Sequence, residues 1–108
     1  MVPSMAKVRG TLDNLPSLLQ GCEDALQRKN NFPFQEFIKL IEKAGFVFKN
    51  QAGSHRIYVH PDFRIKANPY SDILSVQDFS GKAKPYQIKQ FLDFIKNAEP
   101  KPKEQNNA

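Results

Sequence analysis

The sequence is poor in the residues that build covalent or metal-centred chemistry. Its 108 residues include one cysteine, two histidines and no tryptophan. A lone Cys22 closes no internal disulfide, and with only two histidines no zinc cluster of usual spacing can be assembled. This usage fits a reducing cytoplasm, the expected compartment. No stretch approaches the ~20 apolar residues a membrane-spanning helix needs, so no membrane partner is expected. Met1 to Gly10 carries Lys7 and Arg9 without an apolar run behind them and does not read as a signal peptide. Acidic residues are outnumbered, 11 against 16 basic. They also stand singly, which argues against a two-metal nuclease. Gly81-Lys82 lacks the second glycine and the Lys-Ser/Thr pair of a phosphate-binding P-loop. Ser54 beside His55 is no catalytic triad, because neighbouring strand residues point to opposite faces.

What is present is a basic, single-domain-sized chain with a formal net charge of +5 and 40% hydrophobic residues. The excess charge is concentrated between residues 33 and 98, which hold ten basic and six acidic side chains. That segment also has the clearest patterning. Phe34, Phe37, Ile38, Ile41 and Ala44 mark one helical stripe, and Gly45 stands where a left-handed C-cap ends a helix. Phe46 to Gln51 and Ser54 to His60 read as strands joined at Ala52-Gly53, hence an antiparallel hairpin. Ile73 to Phe79 is a third strand, with Leu74 and Val76 on one face and Ser75 and Gln77 on the other. Pro85 fits a first helical turn, and Ile88, Phe91, Leu92 and Ile95 form a second stripe. The expected fold is α+β with order α-β-β-β-α, a three-stranded antiparallel sheet with two helices on one face. Residues 33–98 are the expected domain, and residues 99–108, with Pro100 and Pro102, a flexible tail. Residues 1–32 form an N-terminal extension. Leu12, Leu15, Leu18, Leu19, Cys22 and Leu26 mark a possible extra helix there, which Pro16 and Gly21 weaken.

Two histidines have an unperturbed pKa near neutrality. Cleaving RNA without a metal needs a base for the 2′-OH proton and an acid for the leaving 5′-oxygen, and imidazole serves either role. His55 follows the Gly53-Ser54 turn. Strict alternation places it on the face of Ile57 and Val59, so by spacing alone it reads as a structural strand residue or as an acid/base at the rim. His60, before Pro61, reads as a turn-capping or solvent-facing residue on the opposite face. Lys82 and Lys84 flank a helix start, where free N–H groups favour an anion. Lys49, Arg56, Arg64 and Lys66 extend a basic surface along the hairpin, and Tyr58 is a residue for base stacking or cross-strand packing.

Three stretches together resemble a known family. Gln51-Ala52-Gly53-Ser54-His55-Arg56-Ile57-Tyr58-Val59-His60-Pro61 resembles the Gly-Ser-His strand signature of HicA toxins. Upstream, Phe37 to Phe46 resembles the family's opening helix ending in Gly-Phe. Downstream, Leu74-Ser75-Val76-Gln77 and then Gly81-Lys82-Ala83-Lys84-Pro85-Tyr86-Gln87-Ile88-Lys89-Gln90 resemble its third strand and last helix. The resemblance covers about residues 34–97 and implies a double-stranded-RNA-binding-like domain. By this resemblance the chain is a metal-independent, cofactor-free mRNA endoribonuclease, neutralised by an HicB-type antitoxin. It makes His55 the catalytic histidine, with Gly53 and Ser54 setting motif geometry. The alternative is a non-catalytic RNA-binding module of the same fold. Residues 1–32 and the stretch Pro61 to Asp72 depart from the family pattern.

Overall fold

In the computed structural model, which describes residues 14–65 and 71–101, the described residues form ten α-helices and strands, with one 3-10 turn at Lys29–Asn31 between the first two. They are α1 (Leu15–Gln27), β1 (Phe32–Pro33), α2 (Phe34–Lys43), β2 (Val47–Ala52), β3 (His55–Val59), β4 (Phe63–Arg64), β5 (Ile73–Gln77), β6 (Lys82–Ala83), α3 (Pro85–Asn97) and β7 (Glu99–Pro100). β2, β3 and β5 make one antiparallel sheet in that order, with β3 central. With α2 before it and α3 after it, this is the α+β order α-β-β-β-α expected from the periodicities, and it agrees with the double-stranded-RNA-binding-like domain that the resemblance implies.

α2 forms because its apolar residues recur at helical spacing. Phe34, Phe37, Ile38 and Ile41 are all buried, and Glu36 lies in the first turn and Lys43 in the last, each favoured by the helix dipole. Gly45 stops the helix at φ +102°, a conformation that penalises any side chain. The turn feeds Phe46 into the core, where its ring meets Phe94 at 4.8 Å and His60 at 5.1 Å. α3 buries Ile88, Phe91, Phe94 and Ile95 against the same core, and Phe37 and Phe91 meet edge to face at 6.0 Å. Two-residue ladders close the ends. β1 pairs with β6, and the Phe34 N–H donates to the Gly81 carbonyl at 2.8 Å, joining the start of α2 to the approach to α3.

α1 adds Leu18, Cys22 and Ala25 to the buried core. Pro16 lies in its first turn, where a missing N–H costs no helical bond. Gly21 lies against Leu40 of α2, so close that an added Cβ would come within 2.7 Å of a Leu40 methyl. The two residues that weaken α1 as a sequence pattern are therefore compatible with its place in the fold. Leu12 lies outside the described residues. Burial of Cys22 pushes its thiol up to about 11, which makes it a packing residue rather than a nucleophile.

Two expectations are corrected. The first concerns which face of β3 meets the core. Tyr58 is fully buried, while Ile57 and Val59 are only partly covered. Cross-strand register decides this: Tyr58 stands opposite Leu74 and Arg56 opposite Val76, so the apolar parity of β5 carries Tyr58 inward. On β2 and its approach, Phe46 is buried while Phe48 is 45% exposed at the sheet edge. The second concerns the chain from residue 99. β7 pairs with β4, the Lys101 N–H donates to the Asp62 carbonyl at 2.8 Å, and Lys101 Nζ meets Asp72 Oδ2 at 2.6 Å. Residues 99–101 are thus held by backbone bonds and one part-buried ion pair, and residues 102–108 lie outside the described residues.

Candidate active site

The hairpin turn is Gly53–Ser54, with Ala52 and His55 paired across it. Gly53 has φ +63° and Ser54 does not share the positive sign, the sign pattern of a type II′ turn with glycine first. This places His55 at the first position of β3. Its face is the open one, shared with Ile57, Val59, Ser75 and Gln77, because the opposite parity fills the core. His55 is exposed, and its ring makes no hydrogen bond to another described residue.

His55 lines a groove of about 490 Å³ between β5 and α3, together with Ser75, Tyr86, Gln87, Gln90 and Asp93. Gln87 is almost fully buried and acts like a short piece of strand. The Gln77 N–H donates to its Oε1 at 2.6 Å, and its Nε2 donates to the Gln77 carbonyl at 2.9 Å. Gln77 is the register partner of His55. Gln87 therefore anchors the end of β5 that faces the histidine.

The basic residues divide into two groups. Lys84 is the N-cap of α3, its Nζ lying 5.4 Å from the Phe79 ring centre, and Phe79 in turn packs edge-on against Tyr86 at 6.3 Å. Lys84 is thus linked by two rings to the groove that holds His55. Lys82 is exposed on β6, two residues before it. α3 has no acidic residue in its first turn and no side-chain cap, so its N-terminal dipole is not offset by a carboxylate there. Arg56 is on the other face of β3. Its Nε and Nη2 donate to the Tyr58 hydroxyl at 3.1 Å, and its guanidinium lies 4.6 Å from the Phe48 ring centre. Lys49 occupies the bulge where β2 slips against β3, beside Val47, Val59 and Pro61 on the far edge of the sheet. Arg64, in β4, is partly buried with Nε unbonded, and Lys66 lies outside the described residues.

His60 caps its turn from inside the core rather than from solvent. Its Nδ1 accepts the N–H groups of Asp62 and Phe63, both at 3.1 Å, so Nε2 carries the proton and donates to the Ala44 carbonyl at 2.8 Å. The ring stacks on Phe94 at 25° and meets Phe46 and Phe63 edge-on. Burial lowers its pKa below 6.5, with the Ala44 carbonyl opposing the shift. The two histidines therefore form no pair. Sequence patterning missed the Gln87 clamp, since a glutamine in a helix's first turn carries no periodic signal. Among the described residues no group of three or more His, Cys, Asp or Glu side chains is placed to hold a metal ion, and no helix is long and apolar enough to cross a membrane.

Comparison with known proteins gives one match. The model of the family described as HicA toxin of bacterial toxin-antitoxin matches residues 34–99, from the first residue of α2 to β7. No curated protein and no solved structure matches the chain.

Proposed function

The chain belongs to the HicA toxin family of bacterial toxin–antitoxin systems, and from that premise we propose that it is an endoribonuclease that cleaves mRNA without a metal or other cofactor, using His55. The observation that carries the reading is the position of His55: exposed, on the first residue of a strand, beside a glycine turn and at the rim of a groove. A residue placed there contributes nothing to the core, and its ring is open to a substrate. His60, locked inside, is not available for the chemistry.

In this reading His55 accepts the 2′-OH proton or donates one to the leaving 5′-oxygen. Lys84 and Lys82, at the start of α3, hold phosphates on the side of His55 reached through Phe79 and Tyr86. Arg56 and Lys49 bind the RNA backbone farther along, since Arg56 is on the other face and Lys49 at the other edge. Gly53 and Ser54 fix the turn that presents the imidazole. Residues 33–98 are the RNA-cleaving unit, residues 1–32 an N-terminal extension whose helix packs on it, and the remainder a terminal segment. The enzyme acts in the cytoplasm, and an HicB-type antitoxin neutralises it.

The test is inducible expression of the wild type and of His55→Ala in a bacterium. The wild type arrests growth and degrades mRNA, and the variant does neither at equal protein level. Equal arrest by both would remove His55 from the chemistry. RNA binding without cleavage by the folded wild type would leave a non-catalytic RNA-binding module.

A further inference from the structure

The sheet has two edges, and they are built differently. β2 carries a bulge at Lys49, and a bulge with a charged residue is a common way to keep an edge from pairing with another chain. β5, Ile-Leu-Ser-Val-Gln, has no charge, no proline and an unbroken register with β3. Because the Gln77 N–H and C=O point away from β3 to meet Gln87, antiparallel alternation sends those of Ser75 and Ile73 the same way. The bond from the His60 N–H to the Asp72 carbonyl obeys the same alternation. Four backbone groups of Ile73 and Ser75 thus face the groove, and no described group bonds them.

The groove's lining identifies the kind of occupant. Among the described residues that line it there is no lysine or arginine, and Asp93 adds a negative charge. Among these described residues a nucleic-acid backbone would find no countercharge. A peptide strand would find unpaired donors and acceptors, with the apolar flanks of Ile73, 39% exposed, and Tyr86, 54% exposed. We propose that the edge of β5 that no described strand pairs docks an extended strand of a partner protein, which adds as a fourth strand on Ile73 and Ser75 and ends against His55. The docked strand fills the groove at the histidine while Lys82 and Lys84 remain outside it. The consequence for activity, a shielded His55, rests on the ribonuclease reading; the docking itself does not.

The experiment selects phage-displayed random linear peptides on the full chain and follows amide hydrogen exchange by NMR. A selected peptide slows exchange at the Ile73 and Ser75 amides. Affinity falls about tenfold when the peptide is N-methylated at alternate positions, the loss of one to two strand hydrogen bonds. Ser75→Pro, which deletes one edge donor, gives a similar loss, and Ser75→Ala keeps affinity within about twofold. The N-methylated peptide keeps the test valid if the proline variant fails to fold. Protection of the two amides by a single-stranded RNA oligonucleotide instead of a peptide overturns the proposal. So does protection that appears with chain concentration alone, and so does failure to select a peptide that protects them. Loss of growth arrest bears on the ribonuclease reading and leaves this exchange result unaffected.

Discussion

Gln87 of α3 bonds both backbone groups of Gln77, the residue that faces His55 across the ladder. One buried side chain thus ends the sheet, anchors the last helix and borders the candidate active site. Gln87→Ala would leave a backbone donor and acceptor unsatisfied in a half-buried position, at a cost of about 1–3 kcal/mol. Urea denaturation reads the loss. Gln87→Glu retains the acceptor for the Gln77 N–H but turns a carboxylate oxygen toward the Gln77 carbonyl, so it too is destabilised. A variant as stable as the wild type would show that the clamp contributes nothing.

His55→Ala is expected to change unfolding free energy by less than about 0.5 kcal/mol, because the side chain is exposed and bonds no other described residue. The same substitution abolishes growth arrest in the proposed reading. Thermal unfolding measured beside the growth assay separates the two effects. A large fall in stability would return His55 to a structural role.

His60 makes stability pH-dependent in a defined direction. Its folded pKa lies below the ordinary value of 6.5 because burial disfavours the imidazolium. The unfolded chain therefore takes up the proton more readily. The stabilisation is fully present above pH 6.5 and is lost progressively as the pH falls from there toward the lower folded value. Urea midpoints at pH 7.5 and 5.5 should differ, and the part of that difference owed to this residue should vanish in His60→Gln. Since Nδ1 accepts two backbone N–H groups, protonation also breaks the turn it caps.

Gly45→Ala combines two penalties. Its φ of +102° is strained for alanine, and the new Cβ would lie 2.8 Å from His60 Nε2. A loss of about 1–3 kcal/mol is expected by chemical denaturation. Gly53→Ala meets nothing within 4 Å and carries only the backbone penalty, so it should be the milder of the two.

Lys84→Gln and Arg56→Gln should differ in kind. If Lys84 holds a phosphate, its loss weakens RNA binding uniformly across sequences and reduces the salt slope by about one. Stability stays near wild type, as Lys84 is exposed. Arg56 packs on Phe48 and bonds Tyr58, so its substitution also lowers stability. Filter binding at several salt concentrations, with thermal unfolding alongside, checks both.

The elements were legible because their signals are local. The helical stripes of Phe34 to Ala44 and Ile88 to Ile95, the breaks at Gly45 and Pro85, and the alternation of Leu74 and Val76 each depend on a few neighbouring residues. β3 was legible as a strand but not in its orientation. Its two parities, Ile57 with Val59 and Tyr58 with Arg56, both offer apolar surface, and only pairing with β5 chooses between them. His60 shows the same limit, since nothing adjacent to it announces that it will bond Ala44, sixteen residues away.

For the histidine of the Gly-Ser-His turn, the amino-acid order alone determined its turn, its strand and its family resemblance, all of which are written in contiguous residues. Tertiary structure alone decided that it faces outward, beside Gln87 and apart from His60 and Arg56. Facing is a matter of register between strands and of which surface the helices cover, and both are settled by contacts between residues distant in the chain.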